Sequence, residues 1–171
     1  MSETATLTNA HVFNRIKERL GEGNVSNAYE PYGMLTLHVK RESILDLLQF
    51  LRDDAELQFV FMTDLCGVHF PNDPMKFEVV YHLHSFVNNV RIRVKVRIPG
   101  DTPHIPTASK IYPTANWMER ETYDFYGIRF DGHPDLRRIL NVDDMTIFPM
   151  RKEYPLEDNT RKDKNDEMFG R

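Results

Sequence analysis

The chain has 171 residues, 40% of them hydrophobic and 28% charged, with a net charge of −4. That balance is enough for one domain with a real core, and it gives no global reason to expect nucleic acid or an anionic membrane as partner. A single cysteine, Cys66, cannot form an internal disulfide, and no apolar run approaches membrane-spanning length, so the composition points to a soluble cytoplasmic chain.

In chain order, "NAHVFNRIKERLGEG" spaces Val12, Phe13, Ile16 and Leu20 for a helix, with Asn9 as cap and Gly21 as stop. "MLTLHV" predicts a short strand. "RESILDLLQFLRDD" puts Ile44, Leu45, Leu47, Leu48 and Leu51 on one stripe of an amphipathic helix. "LQFVFMTDL" is more continuously apolar and predicts a strand buried on both faces.

"KFEVVYHLH" and "VRIRVKVRI" alternate strictly and predict a hairpin. If Asn88 and Asn89 form a two-residue turn, Val90, Ile92, Val94, Val96 and Ile98 face Val87, Ser85, Leu83, Tyr81 and Val79. That register places Arg93 opposite His84 and Lys95 opposite His82. Beyond Gly100 the texture becomes proline-rich and polar, and "NWMERETYDFYG" reads as a short helix stopped by Gly127. The expected architecture is therefore α+β: a two-layer helix/sheet domain over residues 8–100 with a β-hairpin at about 77–98. A mostly irregular extension follows, with a segment at 101–156 packing on the domain and on partners, and a polar tail at 157–171.

Few motifs carry chemistry. One cysteine cannot supply the four thiolates of an iron–sulfur cluster. "GEGNVS" at Gly21 is a weak dinucleotide match because it follows a helix and lacks the third glycine; P-loop and GxSxG patterns are absent. A metal enzyme is the rival reading. His82 and His84 share one strand face, and His133 or the Cys66/His69 pair would complete a ligand set. Against it, Arg91, Arg93, Lys95 and Arg97 surround the two histidines with cations, and no carboxylate partner is expected nearby. Those four cations either solubilise a sheet face or dock onto an acidic partner.

"ERETYDFYGIRFDGHPDLRRIL" crowds charge and turns together. Arg120 and Asp124 lie one helical turn apart and can pair, whereas Glu119 and Glu121 diverge around the axis and cannot aim at one substrate atom. This pattern predicts a structural clasp, self-satisfied or shared with a neighbouring subunit.

Together with "FMTDLCGVHF" upstream and "PMRKEYPL" downstream, the stretch closely resembles the signature of the thirty-kilodalton subunit family of NADH:quinone oxidoreductase, respiratory complex I. The matching residues are Glu119, Arg120, Glu121, Asp124, Gly127, Phe130, Gly132, His133, Pro134, Leu136 and Arg138. His69 stands where an acidic residue is expected. The resemblance implies a non-catalytic, cofactor-free scaffold, bacterial or organelle-encoded, on the cytoplasmic side of the cell inner membrane. FMN, iron–sulfur clusters and quinone would belong to other chains. Its implied partners are the quinone-site subunit and the subunit holding the terminal iron–sulfur cluster. Arg91, Arg93, Lys95, Arg97, Arg151, Lys152, Tyr154 and Pro155 are candidate partner contacts. An equivalent scaffold of a membrane-bound hydrogenase or other-donor dehydrogenase has the same sequence logic.

Overall fold

The computed structural model describes residues 7–154. Helix α1 (Asn9–Leu20) buries Val12 and Ile16, and Gly21 closes it. Thr8, rather than Asn9, is its N-cap, the hydroxyl accepting from the His11 N–H. The Asn9 amide instead donates to Glu30 and to the Gly33 carbonyl, tying the helix to the following loop.

Strands β1 (Val25–Tyr29), β2 (Leu35–Val39), β3 (Phe61–His69), β4 (Phe77–Ser85) and β5 (Val90–Ile98) form one sheet in the order β1-β2-β5-β4-β3. Only β2 and β5 run parallel; helix α2 (Ile44–Asp53) lies in the connection between β2 and β3. In α2 the expected stripe is real: Ile44, Leu47, Leu48 and Leu51 are fully buried.

Period-two alternation gives the sheet a clean inside and outside. Leu35, Leu37, Ile92, Val94, Val96, Phe77, Val79, Tyr81, Leu83 and Leu65 share one face and one core with α1 and α2. The other face carries Thr36, His38, Arg93, Lys95, Arg97, Glu78, His82 and His84. This is a mixed α/β, two-layer arrangement.

Two details depart from the sequence expectation. The hairpin turns through four residues, Phe86–Asn89, so Ser85 faces Val90, His84 faces Arg91 and His82 faces Arg93. Asn88 is not a free turn residue: its amide donates to the Ser85 hydroxyl and to the Glu56 and Leu57 carbonyls. The slip is by two, and an even slip leaves the paired side chains on their expected face, whereas Val87, expected opposite Val90, is carried into the loop and exposed. Strand β3 is an edge strand buried on one face only. The long apolar run arises because Leu57 and Phe59 enter the core before the strand begins, while Val60 and Phe61 stay partly exposed.

Residues 105–130 contribute to the same core. Ile105, Ala108, Tyr112, Ala115, Ile128 and Phe130 are buried in it. The Tyr112 hydroxyl donates to the Phe59 carbonyl at 2.6 Å, and β6 (His104–Pro106) pairs parallel with β7 (Arg129–Asp131). Between them, helix α3 (Ala115–Tyr126) crosses β3 at Gly67, where a Cβ would lie 2.7 Å from the Tyr126 ring. No helix among the described residues is long and apolar enough to cross a membrane.

Candidate functional site

Helix α3 turns two carboxylates inward, Glu119 and Asp124, both fully buried. They are five residues apart and serve different partners.

Asp124 organises the chain after β7. Its Oδ2 accepts the backbone N–H groups of Ile139, Leu140 and Asn141, while Oδ1 accepts Arg138 Nη1 at 2.7 Å and the Asn141 side-chain amide. Burial alone would raise the pKa of this group. The Asn141 and Leu140 N–H donors, then Arg138 and the Asn141 amide, outweigh burial and hold the carboxyl well below its ordinary range. Arg138 is itself nearly enclosed and also donates to the Asp124, Met145 and Ile147 carbonyls.

The expected Arg120–Asp124 pair does not form. Arg120 reaches outward to the Arg137 and Arg138 carbonyls, and Asp124 takes Arg138 instead. A loop arginine arriving with three N–H groups satisfies more of a buried carboxylate than a partner one turn back on the same helix can.

Glu119 anchors the segment before α3. Its Oε1 accepts the Ala108 N–H at 2.6 Å and its Oε2 accepts the Thr107 hydroxyl. His133 Nε2 lies 3.9 Å from Oε2 but donates to the Asn116 carbonyl at 2.9 Å, and His133 Nδ1 accepts the Asp135 N–H. Burial dominates here and pushes Glu119 up to about 7, with Thr107 and Ala108 pulling the other way.

That shift has a sign. The folded chain holds this proton more tightly than the unfolded chain, so the stability it confers is complete below the ordinary 4.5 and is lost as pH rises through about 7. The full effect is on the order of 3 kcal/mol at about 1.4 kcal/mol per unit. A Glu119→Gln variant can still accept from Ala108 and can donate to Thr107. Between pH 5 and pH 8 the parent should lose stability relative to this variant, since the histidines that titrate over the same interval are common to both. A parallel pH profile for the two would refute the assignment. Asp124 acts in the opposite sense, its contribution being lost only in strong acid.

Turns complete the clasp. Gly127 adopts φ +73° after α3, and Gly132 adopts φ +81°. Phe130 and Leu136 pack on the core, whereas Glu121 and Pro134 are exposed. Arg151 faces inward: its Nε donates to the Tyr126 carbonyl and its guanidinium lies over Phe77 and Phe148. His69, buried and stacked on Phe77, accepts the Lys152 N–H at 2.9 Å. Residues 148–152 are thus strapped over the end of β3 and β4. Tyr154 is half-buried, and Pro155 and the tail lie outside the described residues.

The three histidines of the metal reading do not converge. His133 is enclosed with Glu119 on the helix side, whereas His82 and His84 lie on the outer face of the sheet. Among the described residues, no three His, Cys, Asp or Glu side chains gather as a metal-binding group. Burial pushes the Cys66 thiol up to about 11, away from the thiolate a metal would need. Carboxylates are present on that outer face, contrary to expectation. Glu78 takes Lys95 at 3.0 Å, with Arg97 and His38 each at 3.9 Å, and Asp64 lies 3.4 Å from His82. Sequence reading missed Glu78, Thr107 and Asn141. A charged residue inside an apolar strand was the one available signal, at Glu78.

The fold resembles the trypsin-resistant fragment of Nqo5, with a TM-score of 0.63 at 29% identity, over 73% of this chain and 98% of that fragment. It also resembles a chain of a membrane-bound sulfane sulfur reductase, described as an archaeal respiratory membrane complex: TM-score 0.74, 26% identity, 86% of this chain and 85% of that one. A family model described as the respiratory-chain NADH dehydrogenase 30 Kd subunit matches residues 37–160. An NADH-quinone oxidoreductase subunit of Rhizobium etli is 52% identical over 139 residues, covering 80% of this chain and 69% of that relative. The protein of the same name from Rhizobium rhizogenes is 50% identical over 131 residues, or 77% and 65% respectively. The aligned stretch therefore spans about two thirds of the length of these relatives. The chain belongs to the respiratory-chain NADH dehydrogenase 30 Kd subunit family.

Proposed function

We infer that this chain is a non-catalytic, peripheral-arm subunit of a proton-translocating NADH:quinone oxidoreductase, bound on the cytoplasmic face of the inner membrane through its complex. Electrons from NADH pass through FMN and iron–sulfur centres to quinone on other chains. This one scaffolds the quinone-site subunit and the subunit of the terminal cluster. The supporting observation is how the buried carboxylates are used. Both oxygens of Asp124 and both of Glu119 are consumed by donors of their own chain, so neither is positioned to move a proton on a substrate. Trp117, Leu140, Val142 and Met150 remain exposed on and after α3, in the same stretch that holds the clasp. Large apolar groups left in solvent are available to a subunit contact.

An affinity tag on this chain, used to purify from native membranes, tests the reading. The expected result is co-purification of an NADH-oxidising, quinone-reducing assembly; a chain recovered alone, or one that oxidises NADH unaided, contradicts it. The likeness to a chain of the sulfane sulfur reductase favours one second reading, the same scaffold in a machine with another electron donor. Recovery of an assembly without an FMN-bearing, NADH-oxidising partner would select it.

A further inference from the structure

On the outer face of the sheet, the cations of β5 are not equivalent. Lys95 and Arg97 are held by Glu78 and Asp73, and Arg93 donates to His82. Arg91, the cation nearest the hairpin loop, is exposed and makes no ion pair among the described residues. Across the strands it faces His84, which in turn faces Phe61. His84 is 9% exposed and its Nε2 is buried with no hydrogen-bond partner. Phe86 covers it at 4.7 Å and stacks on Phe61 at 5.3 Å.

Beside Arg91 a recess of roughly 300 Å³ opens between Met34, Thr63 and His82. His82 Nε2 accepts from Arg93, so its hydrogen is on Nδ1. That Nδ1 is buried and faces the Asp64 carboxylate at 3.4 Å. A cation without a counter-ion among the described residues, and a buried imidazole nitrogen of His84 without a partner, thus adjoin two stacked, exposed aromatic rings. Phe86 and Val87 are 60% and 65% exposed on a loop that the Asn88 side chain ties down. Fixed aromatic anchors beside an unpaired arginine are the composition of an interface centre.

We propose that this end of the open sheet face docks a segment of a partner subunit that presents a carboxylate between apolar side chains. The carboxylate meets Arg91 at the recess, and the apolar neighbours cover Phe61, Phe86 and Val87. Arg91 and His84 are a directly opposed cross-strand pair, so the partner's acidic and apolar groups lie within two or three residues of each other. The proposal rests on the chain's role as a subunit of an assembly, and it concerns a surface on the side of the sheet away from α3.

The test places the photo-crosslinker p-benzoylphenylalanine at position 87 in the full chain, expressed in its native membrane, and maps the crosslinked peptide. A partner peptide with Asp or Glu flanked by apolar residues is expected. Arg91→Glu should lower recovery of that partner about tenfold or more, while Arg91→Lys retains most of it. Arg91 is exposed, so the thermal midpoint of the isolated Arg91→Glu chain should be unchanged. If Arg91→Glu misfolds, Phe86→Ser gives the same readout without the charge. A chain that assembles normally but crosslinks only to lipid, to a second copy of itself or to nothing overturns the docking surface and leaves the assembly role intact. A chain outside any respiratory complex, yet crosslinked to a carboxylate-bearing segment, keeps the surface and overturns the assembly role.

Discussion

Replacing Asp124 with alanine is expected to destabilise the chain by about 3–5 kcal/mol, the cost of leaving a buried charge without its partner. Arg138 would keep its carbonyl acceptors but lose the counter-charge that permits its burial. At the same time the N–H groups of Ile139, Leu140 and Asn141 would lose the one oxygen they share. For a chain of this size the thermal midpoint should fall on the order of 10 °C. Arg120→Ala is the internal control. Arg120 is part-exposed and donates only to two carbonyls, so its loss should cost about 1 kcal/mol. Denaturant unfolding of both variants decides the matter, and equal destabilisation would show that Asp124 is not the organising group.

Gly127→Ala should also be damaging, at about 2–4 kcal/mol. Gly127 caps α3 at φ +73°, a conformation that costs an L-residue about 1 kcal/mol or more. The added Cβ would also lie 2.6 Å from Phe148 Cε2 and from Arg151 Nη2, so the strap over the end of β3 and β4 must move. The loss is therefore local before it is global. Amide exchange at Met150, whose N–H donates to the Phe125 carbonyl, should accelerate well before exchange in β4 and β5. Unchanged protection at Met150 would mean that the strap tolerates the methyl group and that the close approach is not a constraint.

Much of this was legible in the sequence, because helices and alternating strands declare themselves by period. The Ile44–Leu51 stripe, the Phe77–Ile98 hairpin and the stop at Gly127 all follow from spacing. The details that failed depend on contacts distant in sequence. The hairpin register hinged on whether Asn88 was a turn residue or a side-chain tie to Glu56 and Leu57, and spacing does not distinguish these. Asp124 had a cation one turn back at Arg120, yet pairs with Arg138, fourteen residues on, because the loop brings backbone donors with the guanidinium. Strand β1 carries too few apolar residues to announce itself; its burial is confined to Val25. Of the character of the knot, what was readable is that Glu119 and Glu121 diverge, the one buried and the other exposed. Carboxylates that diverge around a helix, interleaved with arginines and turns, serve structure better than acid–base chemistry.

The most direct test of that character is turnover per assembled complex in native membranes carrying Asp124→Asn. Asparagine keeps the shape of the side chain but removes the charge facing Arg138, so assembly should fall. NADH:quinone activity should fall in the same proportion, leaving activity per complex unchanged. Complexes present in full amount but unable to reduce quinone would contradict the account.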